Sequence, residues 1–261
     1  MKKGISFYFG YDLPAEERAR LIEEAGFDSV ITSADPRFNF QNGSIRKQMK
    51  LFKKYNLTPS SLHMRYKTNE LPYFWKEGKK GERLKRNLIK DVKLASKYNF
   101  TCVVVHLAGE YSSIGEKRLK DVLKVCVKKN VPLAIENINY PELLKKVLAN
   151  INHSYLKFCY DSGHHNVYDK DFEYLKEYGD KLVALHLHDN DGVTDQHTLN
   201  MFGTIDWEKL GKKLAFCDVK CLDYELLLRK KSEISCQECL KKVKEQADKL
   251  EKIIEEAKNG F

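Results

Sequence analysis

The stretch Lys181-Leu-Val-Ala-Leu-His-Leu-His-Asp-Asn-Asp191, followed shortly by Asp195-Gln-His197, begins as an apolar run and stops abruptly in imidazoles and carboxylates. Leu182, Val183, Ala184 and Leu185 have the composition of a parallel strand covered on both faces. The two-residue period of a strand sends His186 and His188 to one face and Leu187 to the other. A strand buried on both sides has no use for two imidazoles unless something at its end employs them. Other apolar runs in the chain also end in His, Asp or Glu.

Outward from this stretch, short β-branched or aromatic runs alternate with amphipathic ones along the whole length. Strands are predicted at Gly4–Phe9, Ser29–Thr32, Thr58–His63, Cys102–His106, Pro132–Glu136, Leu156–Tyr160, Leu182–His186 and Cys221–Leu226. Helices are predicted at Ala15–Glu24, Ser44–Tyr55, Glu82–Tyr98, Glu116–Lys129, Pro141–Ala149, Asp171–Tyr178 and Asp206–Phe216, with a last one over about Ser235–Lys258. Eight strands each followed by a helix is the pattern of a (β/α)8 TIM barrel, an α/β fold. An open doubly wound sheet is the competing architecture, but it calls for a glycine-rich phosphate turn after an early strand, which the sequence lacks. No linker divides residues 1–261, so a single domain is expected. The last helix repeats Leu240, Val243, Ala247, Leu250, Ile254 and Ala257, a stripe suited to packing on the barrel or, alternatively, to a homodimer seam.

A chain of 261 residues with 42% hydrophobic content can build a sizeable core. No apolar run reaches the roughly 18 residues that a membrane span needs. Met1-Lys-Lys-Gly-Ile-Ser-Phe7 lacks the apolar core and cleavage site of a signal peptide, so a cytoplasmic protein with no membrane partner is expected. The seven cysteines are odd in number, and Cys102, Cys126, Cys159 and Cys217 sit inside apolar runs, as reduced buried thiols do. Cys236-Gln-Glu-Cys239 has zinc or redox spacing, but no second pair is near and the segment reads as helix. A net charge of +9 suits a nucleic acid or phosphorylated partner, yet the lysines are spread along the helices as on an ordinary solvated surface.

Active sites of (β/α)8 barrels lie at the carboxyl ends of the strands. The predicted strand ends deliver His63, His106, Glu136, Asp161 with His164, His186 and Glu225, one contribution from each of six consecutive strands. Of eight histidines only His153 falls elsewhere. Gathering Glu136, Asp161 and Glu225 in one bowl is costly unless a cation compensates them. Mixed carboxylate and imidazole donors suit Zn, Mn, Co or Fe, so a divalent metal cofactor is expected.

These residues resemble the xylose isomerase-like barrels, a superfamily that contains sugar isomerases and epimerases together with zinc-dependent apurinic/apyrimidinic (family 2 AP) endonucleases. The resemblance covers essentially the whole chain. It is carried by Ala134-Ile-Glu-Asn137, Tyr160-Asp-Ser-Gly-His164, His186-Leu-His-Asp-Asn190, Leu222-Asp-Tyr-Glu-Leu226, Asp189-Asn-Asp-Gly192 with Gly203-Thr-Ile-Asp-Trp207, and Leu71-Pro-Tyr-Phe-Trp75 with Gly81-Glu82. It implies that Glu136, Asp161, His186 and Glu225 hold one metal, Zn or Mn above others. His188 shares a face with His186 and stays an alternative for the strand-7 ligand. The endonuclease branch further implies His63, His106, His164, Asp195 and His197 as ligands, raising the count to two or three zinc ions.

Departures from the endonuclease pattern accompany those matches. Gly163 stands where that pattern has Cys, His188 where it has Asn, and Gln196 where it has Arg. Met201-Phe-Gly203 replaces a Gly-Glu-Gly turn, and Met64-Arg-Tyr-Lys-Thr68 does not match its loop. The expected activity is therefore isomerisation or epimerisation of a sugar or sugar phosphate, with Glu136 and Glu225 exchanging the proton. His188 and His164 would meet substrate hydroxyls, and Arg65, Lys67 or Trp75 would close over the sugar. A zinc phosphodiesterase acting on nucleic acid is the alternative, and a metal-binding scaffold without catalysis the third reading.

Overall fold

The computed structural model describes residues 1–199, 202–227 and 234–260. Its strands are β1 (Lys2–Ser6), β2 (Ser29–Ser33), β3 (Thr58–His63), β4 (Cys102–Val105), β5 (Leu133–Glu136), β6 (Leu156–Asp161), β7 (Leu182–His186) and β8 (Cys221–Tyr224). All pair in parallel, in the order β7-β6-β5-β4-β3-β2-β1-β8. The two outer strands meet just past their ends. There the Leu187 N–H donates to the Asp223 carbonyl at 2.9 Å and the Glu225 N–H to the Leu187 carbonyl at 3.1 Å. The result is a nearly closed (β/α)8 barrel.

Helices follow as α1 (Ala15–Glu24), α2 (Asn39–Asn42), α3 (Ile45–Lys54), α4 (Lys79–Lys97), α5 (Ser113–Lys129), α6 (Pro141–Asn150), α7 (Ser162–Tyr168), α8 (Tyr174–Tyr178), α9 (Trp207–Leu214) and α10 (Cys236–Asn259). Their starts are set by side-chain oxygens: Ser112, Asp206 and Ser235 accept from the N–H groups of Gly115, Lys209 and Glu238. Three ends share one device. Asn56, Asn99 and Asn130 take left-handed backbone (φ 52°, 57° and 50°). The next residues, Leu57, Phe100 and Val131, then donate back to Phe52, Ala95 and Cys126 at 2.9–3.1 Å. Each of those three apolar residues is buried, which turns the chain into the following strand.

Several sequence expectations shift, among them β8, which stops at Tyr224 rather than Leu226 and leaves Glu225 just past its end. β1 runs from Lys2 rather than Gly4, because its pairing with β8 begins at Lys2 opposite Cys221. The segment after β6, where no helix is predicted, is helix α7, started by Asp161 accepting the His164 N–H at 2.6 Å. The stripe on α10 is spent on the barrel: Leu240, Val243, Ala247, Leu250 and Ile254 are fully buried. Gly211 lets α9 come close to it, since a Cβ there would lie 2.6 Å from Ile253. Cys236 and Cys239 are buried in the first turn of the same helix, and none of the seven cysteines is in a disulfide. Among the described residues no helix is long and apolar enough to cross a membrane.

The barrel interior explains where the chemistry sits. Small inward residues, Cys102, Ala134, Cys159 and Ala184, form a compact cluster in its middle. One strand period further on, the same faces carry Glu136 after Ala134, Asp161 after Cys159 and His186 after Ala184. Alternation thus lifts polar groups onto an apolar plug at the carboxyl ends of the strands.

Candidate metal centre

Glu136 is the hub. It is 1% exposed. Its Oε2 lies 3.0 Å from His106 Nε2 and 3.6 Å from His63 Nε2, and its Oε1 lies 3.2 Å from His164 Nδ1 and 3.3 Å from His186 Nδ1. On the far side His186 Nδ1 is 2.9 Å from Glu225 Oε2. Asp161 is fixed through its backbone by Asn137, whose side-chain amide donates to the Asp161 carbonyl (2.8 Å) and accepts from its N–H (2.7 Å). The donor atoms of Glu136, Asp161, His186 and Glu225 all lie within 4.8 Å of one another, as do those of His63, His106 and Glu136, and those of His164, Asp195 and His197.

The third group depends on the loop after β7. His197 takes left-handed backbone (φ 51°), unusual for a residue with a Cβ. It is held by Nδ1 against the Glu225 carbonyl at 3.0 Å and by Nε2 against Asp195 Oδ2 at 3.2 Å. The loop is anchored by Asp189, whose carboxylate accepts from Trp207 Nε1 (2.7 Å), the Asn190 N–H (2.9 Å) and the Ile205 N–H (3.2 Å). A Cβ at Gly203 would lie 2.2 Å from that carboxylate. The Asp189, Gly203 and Trp207 pattern in the sequence is therefore a loop staple.

Charge in the bowl is strongly biased. Burial pushes the Glu136 carboxyl up, but His186 and His106 overcome it and hold the group well below the usual carboxylate range. Glu225 is likewise pushed up by burial and brought far down by His186. Burial disfavours the charged form of His197, yet Asp195 and Glu225 raise its imidazole to about 9. His164 is raised well above the ordinary value against the same burial, by Asp161, Asp195 and Glu136.

The residues fit a divalent cation. Glu136 Oε1, His164 Nδ1, both ring nitrogens of His186, and Asp195 Oδ1 are buried and make no well-directed hydrogen bond, their contacts with one another being ion pairs of poor hydrogen-bond geometry. Such misdirected contacts recover little of the hydration these buried groups give up, and an ion accepting oxygen and imidazole donors removes that cost.

A family model described as xylose isomerase-like TIM barrel matches residues 19–225. The chain belongs to this family. An uncharacterized protein of Sinorhizobium fredii is 33% identical over 102 residues, an alignment spanning 36% of this chain and 33% of that protein. A D-tagatose 3-epimerase-like protein shares the fold at a TM-score of 0.74 with 19% identity, covering 98% of this chain and 99% of the other. D-psicose 3-epimerase with D-tagatose, from Clostridium cellulolyticum H10, matches at 0.75 with 14% identity over 97% and 99%. The IOLI protein with a bound zinc atom matches at 0.73 with 16% identity over 96% and 98%.

Within this xylose isomerase-like barrel the nine residues anticipated as ligands converge on one bowl, while the anticipated substrate contacts divide. A cavity of about 330 Å³ opens above the hub, and His63, His106, His164, Asp195 and His197 line it. Trp75 does not. It is buried between Tyr111 and Gly115, where a Cβ on Gly115 would lie 2.0 Å from the indole. Arg65 is committed elsewhere, its Nε donating to the buried Asp91 at 2.6 Å, and with Lys67 it faces a neighbouring groove. His188 is fully buried behind the bowl. His165 points outward, its Nδ1 2.7 Å from the Tyr160 hydroxyl. Of the Met201-Phe-Gly203 turn, Met201 lies outside the described residues. Sequence reasoning missed Tyr66, Tyr8, Phe38 and Asn42 on the cavity wall. Tyr66 had a usable signal, standing three residues beyond His63, and its ring is 4.8 Å from that of His106.

Proposed function

We propose that this chain is a divalent-metal-dependent epimerase or isomerase of a small sugar or sugar phosphate, with Glu136, Asp161, His186 and Glu225 holding the ion. The observation that carries this is the buried carboxylate and imidazole cluster whose donor atoms gather within 4.8 Å of one another at the floor of a sugar-sized cavity. A divalent cation held there supplies Lewis acidity that makes a C–H between a carbonyl and a hydroxyl acidic. Glu136 and Glu225 then serve as the proton pair from β5 and from just beyond β8. Both carboxyls are held low, so either can serve as the base, while its partner must enter the turnover carrying the proton it delivers. One takes the proton from carbon, the substrate is reprotonated from the other side, and the two end the turnover with exchanged protonation states. His164, on the cavity wall, offers an imidazole to a substrate hydroxyl. The likeness in fold to a D-tagatose 3-epimerase-like protein and to D-psicose 3-epimerase supports this choice.

The test is a panel of ketoses and their phosphates incubated in D2O with metal-loaded protein. Deuterium entering one carbon, with the epimer or the aldose appearing, is the expected result, and Glu136→Gln abolishes it. Loaded protein that exchanges no deuterium into any ketose sinks the proposal.

One observation favours a second reading. His63 and His106 join Glu136 in a second donor group, and His164, Asp195 and His197 form a third, a layout suited to two or three zinc ions and to phosphodiester cleavage. Nicking of abasic DNA that falls steeply with salt would select that reading.

A further inference from the structure

We infer that His188 is a positioning residue for the metal centre, holding the Asp161 carboxylate in place from behind, and that Gly163 is the space this requires. The inference rests on the metal-centre reading above. His188 Nε2 is 3.1 Å from both oxygens of Asp161, although His188 is fully buried and does not line the cavity. Its backbone is locked to the end of β6: its N–H donates to Ser162 Oγ at 3.0 Å, and that hydroxyl donates to the His188 carbonyl at 2.7 Å. Its ring is stacked on His197 at 3.8 Å with only 12° between planes. On the remaining side it abuts Gly163, where an added Cβ would lie 1.9 Å from the ring.

Those contacts leave the imidazole one position. Asp161 Oδ1 already accepts the His164 N–H at 2.6 Å, so the Nε2–H of His188 is the side-chain donor that fixes the carboxylate plane. Orienting a ligating carboxylate by hydrogen bonds is what tunes affinity at metal sites. The same ring is a flat support for His197, so one residue buttresses a member of the four-residue site and a member of the third donor group.

The experiment uses the full chain stripped of metal, with zinc alone as probe, titrated in competition with a chromophoric chelator. His188→Leu fills the space without a donor, and His188→Gln places an amide N–H at the same number of bonds from Cβ. The tightest zinc is expected to weaken about 10–100-fold in His188→Leu and to be largely recovered in His188→Gln. Gly163→Ala, which drives the ring off Asp161, is expected to match His188→Leu, and to cost little further when combined with His188→Asn. Circular dichroism of the metal-free forms checks folding. If His188→Leu does not fold, His188→Asn takes its place, being one bond too short to reach Asp161. Wild-type affinity in the donor-less variants overturns the inference, as does equal loss in His188→Leu and His188→Gln, which would make the ring a filler. Wild-type protein that takes up no zinc instead overturns the metal-centre reading itself.

Discussion

Two residues show how burial fixes what a carboxylate does. Glu136 is the meeting point of four imidazoles. Glu136→Gln keeps the shape and removes the charge, so turnover should drop by about 10²–10⁴, the usual worth of a general base, and bound metal should fall with it. Measuring both on one preparation separates a lost ligand from a lost base. Asp91 behaves oppositely. Burial raises its carboxyl to about 6 from an ordinary 3.8, with Arg65 pulling the other way. The native state therefore holds this proton more tightly than the unfolded chain does. Its contribution to stability is greatest below about pH 4 and is lost as pH rises through about 6. Urea denaturation of wild type against Asp91→Asn should show the wild-type advantage shrinking by roughly 3 kcal/mol across that window. A pH-independent difference would rule this out. Arg65 is thus a structural cation here, and nothing in Met64-Arg-Tyr-Lys-Thr68 disclosed a partner 26 residues away.

At the scale of elements, the left-handed asparagines after α3, α4 and α5 make the barrel's turns repeatable. Alanine in that conformation costs roughly 1–2 kcal/mol, whereas glycine adopts it freely. Asn99→Ala should therefore lower the unfolding free energy by about 1 kcal/mol and Asn99→Gly should be near neutral, read by chemical denaturation; equal losses would contradict the assigned backbone. Most strands were legible as short apolar or β-branched runs, several ending in a polar residue, and reading those ends put Glu136, Asp161 and His186 on one rim, where their donor atoms lie within 4.8 Å of one another. What the sequence hid is local. No helix is predicted between Leu156–Tyr160 and Asp171–Tyr178, yet Asp161 starts one there. Gly163 and His188 looked like two separate departures from the endonuclease pattern, but they meet in space: a ring at one position occupies the volume that a side chain at the other would need. Trp75 resembled a lid residue because its neighbour in the packing, Gly115, is 40 positions away in the chain.

For the whole molecule, the bowl concentrates Glu136, Asp161, Asp195 and Glu225 over an apolar plug, and without a cation their charge is answered by protons on the surrounding imidazoles. Metal must displace those protons to bind, so binding releases protons and strengthens with pH. His197, raised to about 9, and His164, raised as well, set the direction. An ion present at about 100 times its dissociation constant adds about 2.7 kcal/mol to the folded state. In a chain this long that is roughly 5–10 °C in Tm. Thermal unfolding of the stripped protein with and without zinc should show that gain at pH 8 and a smaller one at pH 6, with chelator returning both to the metal-free value. A zinc-induced gain that is equal at both pH values would mean the ion sits away from the histidines. No gain at either would mean that the carboxylates and imidazoles are satisfied by one another and take no ion.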